Sequence, residues 1–261
     1  MPEYTFAAYE TRPVVDMHFA DFIGVCMDEV LNQMAKARYM FGGQCQMPLT
    51  MRAPDGIAGG GAAQHSQCLE AWCTHIPGVK VVAPSNPYDA KMVLKAAIES
   101  NDPVIYFENK ILYKEKGDMP ELADEIPYTI GKAKVVREGK DVTIVSYSIG
   151  MKAALGAAEQ LAAEGIEAEV IDLISLSPWD KECVLDSVKK THRLAICHEA
   201  VKQSGFGAEI SATVAEEAIE YLDAPILRYG APFCPIPFAS TLEKMVKVYP
   251  EDLVKGIKCM F

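Results

Sequence analysis

The alternation of short β-branched runs with longer stretches of helical period constrains this chain more than any other feature. Val79-Lys-Val-Val-Ala83 is followed by a helical pattern over residues 87–100 and then by Pro103-Val-Ile-Tyr-Phe107. Parallel strands need a crossover of a dozen or more residues, and a helix is the usual one, so the pattern predicts an α/β fold. Upstream, residues 12–16 read as a strand, and Phe22, Val25, Cys26, Val30, Met34 and Ala37 fall at helical spacing. Gly42-Gly43 ends that helix. Pro48-Leu-Thr-Met-Arg52 reads as a strand ending in a Pro54 turn, and a glycine-rich loop over residues 58–62 leads to a helix over 66–75.

Residues 114–128 break the pattern with charges, a glycine and two prolines, the composition of an exposed linker. The alternation then restarts. Residues 134–137 and 142–146 read as strands, 151–164 as an alanine-rich helix stopped by Gly165, and strands and helices alternate to about residue 258. The expected division is a first domain over 1–113, a linker over 114–128 and a second α/β domain over 129–261. With 261 residues, either half can bury a core.

A net charge of −11, with basic residues scattered among acids, argues against the clustered basic surface that nucleic-acid binding needs. No apolar run approaches the roughly 20 residues of a membrane helix, and residues 1–6 carry no basic flank before an apolar core. Eight cysteines without a CxxC pair, several in apolar runs, fit free thiols in a reducing compartment, the cytoplasm or a mitochondrial matrix. Cys197-His198-Glu199 invites a metal reading, but strand neighbours point to opposite faces and oppose it.

Residues Arg52-Ala-Pro-Asp-Gly56, Gly59-Gly-Gly61 and Ala63-Gln-His-Ser-Gln67 hold the clearest chemistry. A strand end, a loop whose glycines let backbone approach a ligand, and a histidine before a helix together suit a site at the carboxyl edge of a sheet. His65 there serves proton transfer near neutral pH or merely caps a helix.

That stretch, with Ala71-Trp72, Pro77-Gly-Val-Lys-Val-Val82, Asp102-Pro103 and Glu108, resembles the beta subunits of thiamine-diphosphate-dependent pyruvate, acetoin and branched-chain 2-oxo acid dehydrogenases. So do Ile171-Asp-Leu-Ile-Ser-Leu-Ser-Pro-Trp-Asp180, Glu199 and Gly205-Phe-Gly-Ala-Glu209. The resemblance runs from about residue 12 to residue 257. It implies a pyrimidine-binding thiamine diphosphate domain, incomplete at its N-terminus, followed by a transketolase C-terminal-like α/β domain. By the same resemblance the cofactor's diphosphate and Mg²⁺ lie on an alpha subunit, and this chain has no Gly-Asp-Gly motif with following asparagines of its own. The implied assembly is a two-alpha, two-beta heterotetramer docked on a lipoyl-bearing acyltransferase core, and the implied reaction is oxidative decarboxylation with acyl transfer to lipoyl groups. A truncated, non-catalytic structural subunit and a transketolase-type ketol transferase are the alternatives. Phe19, Phe22 and the His18-Phe19 pair suggest a compact pocket, which favours acetoin or pyruvate over a bulky branched chain.

The resemblance assigns roles residue by residue. His65 matches the active-site histidine, and Phe22 the aromatic beside the aminopyrimidine, with core packing as its competing explanation. Backbone carbonyls at Leu49, Ala97, Ile98, Ser100 and Asp102 match those that hold a monovalent cation, K⁺. Glu3 is the one candidate for the carboxylate beside the pyrimidine. The helix that follows that glutamate in relatives looks about two turns shorter here, an offset of about 10 Å for Glu3. The expectation is therefore a shortened leader, an uncovered sheet edge and a catalytic carboxylate out of place.

Overall fold

The computed structural model describes residues 11–119, 121–122 and 125–261, which form two five-stranded sheets. In chain order the first half gives β1 (Val14–Asp16), a 3-10 turn Ala20–Cys26, a π-helical turn Glu29–Met34, α1 (Ala37–Met40), β2 (Thr50–Asp55), α2 (Glu70–Thr74), β3 (Lys80–Val82), α3 (Pro87–Glu99) and β4 (Val104–Asn109). Then come β5 (Lys134–Arg137), β6 (Val142–Ser146), α4 (Gly150–Ala163), β7 (Ala168–Asp172), β8 (Ser175–Ser177), α5 (Lys181–Thr191), β9 (Leu194–Val201), α6 (Phe206–Glu217), β10 (Leu227–Ala231), α7 (Ser240–Met245) and α8 (Pro250–Lys258).

The first sheet runs β1-β2-β4-β3-β8 and the second β10-β9-β6-β7-β5. The first four strands of each order are mutually parallel, and β8 and β5 close their sheets as antiparallel edges. Every residue of β4, β6 and β7 is buried, as expected of parallel strands covered on both faces. The 138–140 turn does not make a hairpin of its flanking strands, because β5 pairs with β7 instead of β6.

β8, a three-residue segment of the second half, pairs with β3 of the first, and Ala83 donates its N–H to the Ile174 carbonyl at 2.7 Å. One apolar cluster accordingly runs from Met34, Met51 and Phe107 to Val145, Ile171 and Phe206. A strand from the second half thus completes the edge of the first sheet, and apolar packing is continuous between the halves.

Two local expectations are corrected. Segment 22–39 is not one α-helix: a 3-10 turn precedes a π-helical turn, and the change from tight to wide winding breaks the 3.6-residue phase. Ala20, Ile23, Val30 and Met34 are buried, while Phe22 and Val25 turn outward. Pro54 does not end its strand, since β2 continues to Asp55 and Pro54 pairs with Glu108. Thr50 donates its N–H toward the β1 side, to the Pro13 carbonyl. By alternation, the position of Pro54 also faces that side, where β1 has already ended at Asp16 and no N–H is required.

Gly78 fixes the approach of the loop before β3 to the π-helical turn. Its φ is +109°, and a Cβ there would lie 1.9 Å from the Ala35 carbonyl oxygen. Backbone cannot swing aside as a side chain can, so Gly78→Ala is expected to cost about 2–5 kcal/mol from strain and overpacking together. A urea titration reads this directly, and an unchanged midpoint would mean the two segments separate at little cost.

Candidate active site

The parallel register brings the carboxyl ends of β1, β2 and β4 together, with Asp16 opposite Arg52 and Asp55 opposite Asn109. The segments leaving those ends carry Phe19 and Phe22, then His65, then Lys110. Three rings meet edge to face: Phe19 and His65 have centroids 4.9 Å apart, Phe22 and His65 5.4 Å, and Phe19 and Phe22 6.3 Å. Phe22 is 42% exposed and His65 half-buried, so the group presents ring surface outward. Core packing does not account for Phe22. Lys110 Nζ lies 5.3 Å from the Phe19 centroid, within cation–π range.

The His65 loop is anchored on both flanks. Asp21 Oδ1 accepts from the backbone N–H and from Nε2 of Gln67, both at 3.0 Å. Glu243 Oε2 accepts the Gly60 N–H at 2.9 Å. At the strand ends, Arg52 donates twice to Glu108, at 2.7 and 2.8 Å, and Tyr113 donates its hydroxyl to the same carboxylate at 2.5 Å. Burial and that carboxylate both push the Tyr113 phenol up, which keeps it a donor.

Next to His65 in sequence lies a set of polar groups that sequence reasoning did not assemble. Asp55 and Glu70 are buried, and Tyr147 from the second half donates to Glu70 Oε1 at 2.6 Å. Glu199 on β9 accepts from Asn109 Nδ2 at 2.8 Å and from the Ile57 N–H at 3.1 Å. Burial raises the pKa of Asp55, Glu70 and Glu199, and the carboxylates of Glu70 and Glu199 push Asp55 further up. Cys68 is raised by burial and then by Asp55. These groups come from separate strands and loops; Asp55 and Glu199 lie in stretches the sequence singles out, but nothing local shows that they meet Glu70 and Tyr147.

Cys197, His198 and Glu199 do not converge. Cys197 Sγ contacts the Gly150 carbonyl, His198 stacks on Tyr147, and Glu199 reaches the first half. Burial pushes the His198 imidazole down to about 4.

Glu3 lies outside the described residues. The carbonyls matched to a monovalent cation are all hydrogen-bonded. Arg12 Nη1 donates to those of Ile98 and Ser100, both at 2.9 Å. Val104 N–H donates to Leu49, Ser100 N–H to Ala97, and the Ser100 hydroxyl to the Asp102 carbonyl. The Asp102 carboxylate pairs with Arg38 and Lys80, so three cationic side chains already gather there.

The two halves, joined through β8 and carrying an open aromatic site at one strand edge, define a transketolase-type pair of domains. Residues 3–116 match the model of the transketolase pyrimidine binding domain, and residues 131–253 that of the transketolase C-terminal domain. A solved structure described as a split gene transketolase, inactive beta4 tetramer, aligns with a TM-score of 0.79 at 24% identity. The alignment covers 98% of this chain and 78% of that one, a likeness of fold alone.

Closer relatives narrow the class. The beta subunit of acetoin:2,6-dichlorophenolindophenol oxidoreductase from Bacillus subtilis (strain 168) is 49% identical over 243 residues, 93% of this chain and 70% of that one. The pyruvate dehydrogenase E1 component subunit beta of Rhizobium meliloti (strain 1021) is 45% identical over 249 residues, 95% of this chain and 54% of that one. The chain belongs to the beta-subunit family of thiamine-diphosphate-dependent 2-oxo acid and acetoin dehydrogenases. Among its described residues no helix is long and apolar enough to cross a membrane.

Proposed function

We propose that this chain supplies the pyrimidine side of a thiamine diphosphate site that an alpha-type subunit completes with the diphosphate and Mg²⁺. The pair would cleave acetoin or decarboxylate a small 2-oxo acid and pass the acyl unit to a lipoyl group. The observation that carries this reading is the outward-facing ring group of Phe19, Phe22 and His65 at the carboxyl ends of β1 and β2. A flat heterocycle fits such a surface, because ring edges and faces attract one another beyond simple area burial.

Bound there, thiamine diphosphate supplies the electron sink for breaking the bond next to the substrate carbonyl. The chain's own residues orient it and move protons. Phe22 gives an apolar face to a planar ligand, and Phe19 holds the His65 ring at a fixed angle. His65 carries a proton to or from substrate oxygen, and Asp21 keeps its loop in place through Gln67. Glu3 is the candidate carboxylate for the pyrimidine nitrogen, and with the offset of about 10 Å expected of it a well-formed complex without turnover would point to its displacement.

The identity of 43–49% to acetoin and pyruvate beta subunits favours this reading over ketol transfer, since transketolase likenesses at 16–24% share only the fold. A second beta copy and a lipoyl-bearing core are the further partners we propose. The net charge of −11 suits a basic docking segment on that core.

Co-expression with an alpha-type subunit, followed by acetoin- or pyruvate-dependent dye reduction with thiamine diphosphate and Mg²⁺, tests the proposal. A well-formed complex without turnover would leave a structural subunit. Within an active complex, Phe22→Ala is expected to raise the half-saturating thiamine diphosphate concentration about tenfold, corresponding to about 1.4 kcal/mol of lost ring contact. Turnover at saturation should change far less. An unaltered half-saturation would remove Phe22 from the cofactor site.

A further inference from the structure

We propose that Asp55, Cys68 and Glu70 form a binding site for a thiolate-accepting divalent cation of the zinc type, set where the two halves of the chain meet. One ligand atom from each residue lies within 4.8 Å of the others. Asp55 ends β2 and Glu70 opens α2, while Cys68 lies in the loop between His65 and that helix. The trio comes from rigid strand and helix ends and one anchored loop.

Two carboxylate oxygens point to a ligand independently of this clustering. Asp55 and Glu70 are 4% and 2% exposed, and Asp55 Oδ1 and Glu70 Oε2 have no hydrogen-bond partner among the described residues. Burying such atoms bare costs several kcal/mol unless a proton or a cation neutralises them. Lys110 follows β4 at this strand edge, and its enclosed Nζ too lacks a hydrogen-bond partner among the described residues. It sits over the Phe19 ring, and its charge favours ionised Asp55 and Cys68, but among the described residues it forms no salt bridge within 4.0 Å to Asp55 or Glu70.

The donor set selects the metal. Mg²⁺ and Ca²⁺ take oxygen ligands, whereas one sulfur with two carboxylate oxygens suits Zn²⁺ and its surrogates Co²⁺ and Cd²⁺. Tetrahedral zinc with bonds of about 2.0–2.3 Å brings ligand atoms to roughly 3.3–3.8 Å of one another. Side-chain rotation of about 1 Å therefore closes the trio. Glu199 Oε2 lies 3.7 Å from Cys68 Sγ and is oriented by Asn109 and the Ile57 N–H. It can receive the thiol proton released on binding, or its other oxygen can supply a fourth ligand. Tyr147 already holds Glu70 Oε1, leaving Oε2 for the metal. With Tyr147 and Glu199 drawn from the second half, the ion would pin the halves together beside the His65 loop.

The site is tested on the full chain, stripped with chelator and assayed without thiamine diphosphate or Mg²⁺. One equivalent of Zn²⁺ is expected to survive desalting, and the Co²⁺ form should show a near-ultraviolet sulfur-to-cobalt absorption band. That band should vanish in Cys68→Ser, and Asp55→Asn, which keeps the thiol, should weaken Zn²⁺ binding at least about tenfold. Circular dichroism identifies a variant that fails to fold, and the wild-type band together with a Glu70→Gln titration then decides. Zinc lost on desalting, cobalt bound without the band, or a band that persists in a folded Cys68→Ser would each overturn the site. Stabilisation by acid with none by zinc would also overturn it, since the carboxylates would then be neutralised by protons.

Discussion

In a complex with an alpha-type subunit, His65→Ala is expected to lower turnover by about 10²–10⁴-fold, the range for loss of a positioned proton donor or acceptor. The expectation rests on position. His65 follows β2 at the carboxyl edge of the sheet, its ring packed edge-on against Phe19 and Phe22, in a loop fastened at Gln67 and Gly60. Two fastened flanks leave the ring few alternative placements, so removing it deletes a group held in one orientation. The loop's anchors are backbone and Gln67 contacts that do not involve the imidazole, so assembly and melting temperature should stay close to wild type. Steady-state turnover, read beside a melt of the same complex, separates the two effects. Activity within about threefold of wild type in an intact complex would move proton transfer elsewhere and reduce the ring group to a binding surface.

How much of this was legible in sequence follows from the range of the interactions. The α/β class and most elements could be read, because period and turn residues are local: Gly165 ends α4 with φ of +85°, and Asn86 caps α3 by accepting the Asp89 N–H. The resemblance points to Phe22 as a cofactor-side aromatic, while the helical period places it with Val25 on a buried face, and the structure exposes both. Mixed 3-10 and π winding keeps Val30 and Met34 inside but turns Phe22 and Val25 out in favour of Ala20 and Ile23, which no 3.6-residue template detects. Pro54 looked like a terminator because a missing N–H matters only when a neighbouring strand needs it, and strand neighbours are set by topology. β8 escaped for a similar reason. Three residues of Ser-Leu-Ser carry no period, and they form a strand only because β3 offers an open edge. The buried acids are the extreme case: Asp55, Glu70 and Glu199 meet only once both sheets exist.

Asp172→Asn is the second large effect, and it depends on pH. Asp172 ends β7 at 0% exposure, accepting from the Ser85 hydroxyl and, at 3.2 Å, from the Ile174 N–H. Burial pushes its carboxyl from the usual 3.8 up to about 7; Asp89 adds to the rise, while Ser85, Ile174 and Lys134 oppose it. Between about pH 4 and 7 the folded chain holds a proton that the unfolded chain has released. Stability contributed by this group therefore falls as pH rises through that window, by roughly 4 kcal/mol in all, and is flat above it. Asparagine is neutral at every pH; its Oδ1 can keep the Ile174 bond and its Nδ2 can donate to Ser85. At pH 8 the variant should consequently be more stable than wild type by about 2–4 kcal/mol, and near pH 4 the two should converge. Asp55, Glu70 and Glu199 are raised as well, so wild-type stability alone would mix several titrations. The difference between variant and wild type isolates Asp172. Equal destabilisation at pH 4 and pH 8 would mean that the Ser85 contact, which ties the first half to the second, requires a charged acceptor. The junction of the halves would then be held by an ionised carboxylate instead of by a shared proton.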